Sequence, residues 1–563
     1  MNKWKKAAVA AAALVAVGGM AAGTVAVIYP RALDLFVHDD VRELRPDVGH
    51  DRREPSKRSA LLVLAIDGVD RRLLYEMLRS GDLPHMAALL GGGGARFPHA
   101  CFAEDVLTVL PSTTIPAWTT AFTGVEPGVH GITGNELFVR EETVMVAPAP
   151  VSIDDLAPTL AVYTDDTLGR RLDVPTVYEL LRQTDPPVRI WVAMSQIYRG
   201  ADLLILAKRS VLAGAFGAFL RDSLPGATAR GVYAELDEEV FDSVTDELED
   251  RTPPDVLTVY IVGTDLYAHH AEHGPDVARR GYLREVLDPA LAKLRGALDR
   301  RGFLADAHVV VLSDHGHTDV VHDERHALST EGVDEPPELL RRAGFRVRPF
   351  EWKLDGAADF QAVLAYNGAM AFVYAADRST CPSPGQACDW SRPPRWREDV
   401  QPIADAFVRA NATGELLPAL RGTIDMVLVR QEGPEPFGVY TDTGDVVSVD
   451  AYLAAHPHPT YVALASRLRA LGSGPHAGRA GDVVLIAQNG NVDAAHERHY
   501  FAAQYRSWHG SPSRLDSEVP LIVAHAHRST ADLCASMKIE LGADPTIARV
   551  TPLFLRLREP RPH

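Results

Sequence analysis

The sequence predicts an α/β protein: a doubly wound, mostly parallel sheet with a smaller α+β cap inserted late in the chain. Three observations predict it. Leu61–Ile66, Val256–Val262 and Val309–Leu312 are continuous apolar runs, as expected of central parallel strands covered on both faces. Stretches of helical period separate them, which suits a doubly wound core. From about Thr318 to Ala480 the pattern turns irregular and Pro-rich, with short strands such as Ala369–Ala375 and Asp425–Arg430. That change reads as an insertion. At 563 residues the chain can bury a large core. Its net charge of −18 would repel a nucleic-acid backbone, so no nucleic-acid-binding surface is expected. A small phosphate ester remains open as a substrate, because a bound cation reverses the local sign.

In chain order, Lys3, Lys5 and Lys6 precede an uncharged stretch, Ala7 to Tyr29. This reads as a signal peptide or membrane anchor, with membrane association through residues 7–29 and an extracytoplasmic body. The expected organisation is 1–29 targeting segment, 30–58 tether, 59–317 first part of a catalytic core, 318–480 cap, and 481–563 second part of the core. Cys381 and Cys388 flank a Pro/Gly loop short enough for a disulfide in an oxidising compartment. Cys101 and Cys534 are too far apart in sequence to pair by inspection.

The first core strand, Leu61–Ile66, closes at Asp67-Gly68. An Asp there stands where open α/β sheets hold ligands. Helices are expected over Arg71–Ser80 and Leu83–Leu90, then a turn at Gly91–Gly94. A β-rich run, Asp105–Leu110, leads into Pro111-Ser112-Thr113-Thr114-Ile115-Pro116. Pro116 suits a first helical turn and Gly124 a stop. A hydroxyl just before that helix would sit among unpaired N–H groups that favour an anion. Residues 125–135 read as a turn-rich loop in which His130 is a structural hydrogen-bonder and Asn135 offers an amide to a phosphate oxygen.

Further on, helix Thr176–Arg182, strand Val188–Val192 and helix Glu235–Asp250 precede the Val256–Val262 strand. That strand runs into Asp265 and His269, which share a face at i, i+4 if a helical turn follows. A long helix, Asp276–Arg301, precedes the third apolar run, which ends in Asp314-His315-Gly316-His317. A final core strand, Asp482–Ala487, and a last strand, Val519–Val523, flank Trp508-His509-Gly510. Trp352, Trp390 and Trp396 either cover the site or pack in a core. Three carboxylates, Asp67, Asp265 and Asp314, follow buried strands; gathered together they would repel strongly unless cations neutralised them.

The ordered set Asp67-Gly68, Thr114-Ile115-Pro116, Thr123-Gly124 with Pro127 and His130-Gly131, Asp265 with His269, Asp314-His315-Gly316 and His509-Gly510-Ser511 resembles the alkaline phosphatase superfamily. More narrowly it is similar to the type I phosphodiesterase/nucleotide pyrophosphatase branch. The resemblance implies an alkaline phosphatase-like fold with two Zn²⁺ ions per chain, other divalent metals being possible. One ion would be held by Asp67, Asp314, His315 and the nucleophile Thr114, the other by Asp265, His269 and His509. Thr114 would form a phospho-threonine, with Asn135 holding a phosphoryl oxygen. Four departures stand out. His270 and His273 compete with His269. His317 replaces an apolar residue. Ile115 stands where nucleotide-cleaving relatives carry an aromatic. Ser112 and Thr113 are rival hydroxyls. A phosphodiesterase or pyrophosphatase is expected, with a phosphomonoesterase or an inactive binding module as alternatives.

Overall fold

The computed structural model describes residues 41–45, 58–93, 96–208, 211, 215, 226–330, 332–354 and 358–560. The proposed targeting segment and most of the tether lie outside them. No helix among the described residues is long and apolar enough to cross a membrane.

The core is an eight-stranded sheet in the order Val41–Glu43, Leu203–Ile205, Ile190–Ala193, Val256–Ile261, Ala60–Ile66, Ala307–Ser313, Leu521–His525, Ala100–Phe102. The middle pairs, from Leu203–Ile205 through Ala307–Ser313, are parallel. Antiparallel strands close the edges. Side chains of Ala60–Ile66 beyond its first residue are all buried, as a strand covered by helices requires. Register then matters for function. Ile66 pairs with both Ile261 and Ser313, so the ends of three adjacent strands are level. Whatever follows those residues is delivered to one edge.

Helices form where the caps allow. Arg71–Ser80 starts at Asp70, whose carboxylate accepts the Leu73 N–H at 2.9 Å, and stops at left-handed Gly81. The run after Asp276 is not one regular helix. It proceeds as Pro275–Tyr282 and Asp288–Arg300 through a π turn at Leu283–Leu287. Pro289 has no N–H to continue the regular ladder there. Asp105–Leu110, expected as a strand, is a loop that makes isolated bridges from Leu107 to Glu518 and Thr546. The 125–135 loop contains a short helix, Pro127–His130, ended by Gly131 at φ +80°.

The second lobe is built on a six-stranded antiparallel sheet in the order Ala362–Asn367, Met370–Ala375, Val483–Ala487, Ile424–Arg430, Phe437–Tyr440, Val446–Ser448. Val483–Ala487 was expected in the catalytic core but lies in this sheet, between Met370–Ala375 and Ile424–Arg430. A strand apolar on both faces suits the centre of either sheet, so its sequence does not choose. Trp390 is buried in this lobe against Phe138 and Phe360. Trp396 is partly exposed beside Tyr440. Both cysteine pairs are disulfides, Cys381–Cys388 and Cys101–Cys534. The second ties the Ala100–Phe102 edge strand to the Thr530–Leu541 helix.

Candidate active site and metal centre

Level strand ends bring the expected carboxylates together. Asp67 and Asp314 step directly off their strands, and Asp265 follows within the helix Gly263–His270. That helix puts His269 one turn on, Nε2 3.4 Å from Asp265 Oδ2. His315 Nε2 lies 3.3 Å from Asp67 Oδ1 and 3.3 Å from Asp314 Oδ2. His509 Nε2 is 3.7 Å from Asp265 Oδ1. Donor atoms of Asp67, Asp314 and His315 form one close group, and those of Asp265, His269 and His509 a second. A further group, Asp265, His315 and His317, joins them.

His509 arrives from the far end of the chain. A two-residue antiparallel ladder pairs Thr318 with Trp508 and Asp319 with Ser507. The second lobe adds a brace: at the turn after Ala362–Asn367, the Ala369 N–H donates to the His509 carbonyl at 2.9 Å. Gly368 is necessary there, since a Cβ would lie 2.1 Å from that carbonyl oxygen. Gly68, at φ +72°, is equally constrained, because a Cβ would stand 2.9 Å from both Asp265 and His317 Nε2.

Burial, then repulsion from Asp314 and Asp265, pushes the Asp67 carboxyl well above the usual range. Burial raises Asp314 to about 6 despite His315. Asp265 is held well below the ordinary value: burial opposes ionisation, but His269 and His317 outweigh it. Tyr260 donates its hydroxyl to Asp67 Oδ2, yet Asp67 Oδ1 and Asp314 Oδ2 are buried without a hydrogen-bond partner. Buried oxygens of this kind are costly. Two such oxygens beside an imidazole make a donor set that fits a divalent cation, zinc included.

Of the three candidate hydroxyls, Ser112 and Thr113 are fully buried, at 0% exposure, and Thr114 is at 9%. Ser112 donates to the Ser511 carbonyl. Thr114 opens the helix Thr114–Thr123, lines the cavity, and sets Oγ1 3.2 Å from His315 Nε2. Asn135 Oδ1 accepts the Ile115 N–H at 2.9 Å, leaving its NH₂ as the group available to the cavity. His130 is structural, as expected: its ring nitrogens engage Thr120 Oγ1 at 2.9 Å and the Ile132 N–H at 3.1 Å.

The competing histidines separate cleanly. His270 points away, its ring against Tyr505 and Tyr233, and His273 is exposed. One residue past His269 is a rotation of about 100° around a helix. His317, by contrast, reaches the centre, Nε2 2.7 Å from Asp265 Oδ1.

The cavity wall differs from expectation. Ile115 and Trp118, beside Thr114 in sequence, do not form it: both are in the core at 1% exposure. The apolar lining comes instead from Pro148–Val151, Leu156, Met194, Leu236, Leu266 and Trp508; among the described residues no Lys or Arg lines the cavity and none of 318–480 does. Glu136, missed in the sequence, pins this wall. Its carboxylate accepts the N–H groups of Val151, Ser152 and Ile153 at 2.7, 2.6 and 3.1 Å. A larger cleft of about 1240 Å³, near Glu324–Glu335 and Pro418–Thr423, carries none of the clustered ligands.

A mostly parallel α/β core thus carries a threonine at a helix N-terminus, facing paired Asp/His groups. The family model described as type I phosphodiesterase / nucleotide pyrophosphatase matches residues 61–380, and the chain belongs to that family. It is a hydrolase of phosphoric ester bonds with candidate metal-binding groups. Among solved structures it is similar to murine ectonucleotide pyrophosphatase / phosphodiesterase 5, at 14% identity over 83% of this chain and 88% of that one, TM-score 0.44. An inactive form of that murine protein in complex with AMP matches at 13% identity, over 90% and 96% of the two chains, TM-score 0.47. Phosphonoacetate hydrolase from Sinorhizobium meliloti 1021, in complex with phosphonoformate, matches at 18% identity, over 90% and 97%, TM-score 0.46. A comparison with curated proteins finds no match.

Proposed function

We propose that this hydrolase is a metal-dependent phosphodiesterase acting through Thr114, with a small phosphate ester as substrate. The observation that carries the reading is that Thr114 lines the cavity beside the Asp67–Asp314–His315 group while its neighbours Ser112 and Thr113 are fully buried. Asp67, Asp314 and His315 would hold one cation, and Asp265, His269 and His509 another. When bound, such cations, read here as two Zn²⁺, act as Lewis acids toward the nucleophile and the leaving oxygen.

Thr114 Oγ1 attacks phosphorus. A P–O bond to the threonine forms as the P–O bond to the leaving alcohol breaks, and water then cleaves the phospho-threonine and restores the hydroxyl. Negative charge on Oγ1 is favoured by its position at the positive, N-terminal end of the Thr114–Thr123 helix. Asn135, oriented by the Ile115 N–H, presents its NH₂ to a phosphoryl oxygen. A monoanionic diester suits a cavity with no Lys or Arg among its described lining residues, and its second ester group suits the apolar wall. Two disulfides support an extracytoplasmic address for the body of the chain. The reading is tested by assaying purified protein on phosphodiesters before and after chelation and Zn²⁺ repletion; turnover indifferent to both would reject it.

A further inference from the structure

We propose that His317 is an additional metal ligand of this centre, presenting Nε2 beside the Asp265 carboxylate; the inference rests on reading the cluster as a metal centre. It follows from counting hydrogens. Ser507 Oγ donates its single hydrogen to the Ala268 carbonyl at 2.8 Å. His317 Nδ1 lies 3.1 Å from that same oxygen. The hydrogen between them must then come from the ring, so Nδ1–H donates to Ser507. A neutral imidazole with Nδ1–H carries a lone pair on Nε2. That lone pair faces Asp265 Oδ1 at 2.7 Å. Two electron-pair donors this close repel unless a cation, or an extra proton, lies with them.

The other histidines of the cluster follow the same plan. His269 Nδ1 is 2.9 Å from the Ser507 carbonyl, His315 Nδ1 3.0 Å from the Gly316 carbonyl, and His509 Nδ1 3.0 Å from the Ser112 carbonyl. Each outer N–H is spent on an oxygen and each Nε2 turns inward, the usual way a ligating histidine is fixed. His317 differs only in using a hydroxyl. Ser507 therefore orients two rings, His269 through its carbonyl and His317 through its side chain. The pairing of Asp319 with Ser507 holds the two segments in this register.

The test uses the full chain, chelator competition for Zn²⁺, and the visible spectrum of the Co²⁺-loaded protein. His317→Gln puts an amide NH₂ near the Nε2 position; it can still donate to Asp265 but supplies no imidazole. Zn²⁺ affinity should fall at least about 10-fold and the Co²⁺ spectrum should change. Ser507→Ala leaves every ring in place but frees the His317 tautomer, and should also weaken Zn²⁺ by about 10-fold or more. It decides the matter if His317→Gln fails to fold. Wild-type affinity and an unchanged spectrum in either variant would overturn the proposal, leaving His317 as a hydrogen-bonding support for Asp265. Failure of the unsubstituted chain to bind Zn²⁺ or Co²⁺ would overturn the metal-centre reading itself, and this proposal with it.

Discussion

The imidazole rings of His315 and His509 stack face to face, with centroids 3.6 Å apart and planes 14° from parallel. They belong to different ligand groups, and their backbones are nearly two hundred residues apart. The stack couples the two groups mechanically, because neither ring can shift without pushing the other.

His509→Ala should therefore do more than empty one group. It removes a nitrogen beside Asp265, leaves that buried carboxylate poorly compensated, and opens space against His315. Metal content measured by mass spectrometry should fall, and thermal stability with it. Unchanged metal content would reject His509 as a ligand.

Thr114→Ala should abolish turnover, a loss of at least about 10³-fold, while metal content and fold persist, since Asp and His side chains supply the remaining donors. Ser112→Ala should retain activity unless the lost hydrogen bond to Ser511 disturbs the turn. The reverse pattern of rates would reassign the nucleophile.

Diesters should be preferred to monoesters. A dianionic monoester commonly calls for guanidinium or ammonium groups, and the described residues of the cavity lining supply neither. The comparison is kcat/KM for bis(p-nitrophenyl) phosphate against p-nitrophenyl phosphate at one pH and zinc concentration. A monoester preference, corrected for intrinsic reactivity, would favour a phosphatase.

Stability should fall as pH drops below about 6.5, in part through His130. Burial, with His476 nearby, pushes this imidazole down to about 3 from the ordinary 6.5. The unfolded chain takes up the proton below about 6.5 and the folded chain does not until about 3, so the native state loses up to about 1.4 kcal/mol per pH unit across that window. Above 6.5 both states are neutral and the effect vanishes. His130→Asn should flatten the profile between pH 4 and 6.5 in denaturant titrations. An equal slope in both proteins would remove His130 from the account.

Both disulfides should be present in protein taken from its native compartment, by mass spectrometry of non-reduced peptides. Cys101–Cys534 spans 433 residues of sequence and fastens an edge strand to a helix. Its removal by Cys534→Ser should cost on the order of 2–5 kcal/mol. An unchanged Tm would mean that the edge strand does not need the link.

The sequence by itself determined the parallel core, because apolar runs such as Leu61–Ile66 admit little but a strand covered on both faces. It also put Asp67, Asp265 and Asp314 each shortly after such a run, which made them candidates for one site. Thr114–Thr123 was legible as a helix from Pro116 and Gly124. Only the tertiary structure decided the rest. Val483–Ala487 could have joined either sheet, and hydrogen bonding to Met370–Ala375 and Ile424–Arg430 put it in the second. Ile115 and Trp118 went into the core, and a loop pinned by Glu136 became the cavity wall, because burial depends on what packs against a residue rather than on its type. His270 and His317 were ambiguous as letters. One residue's rotation around a helix turned His270 away, and one two-residue ladder beside Ser507 brought His317 in. Local pattern sets an element's period; which side chains meet across hundreds of residues is set by register, and register is a property of the whole fold.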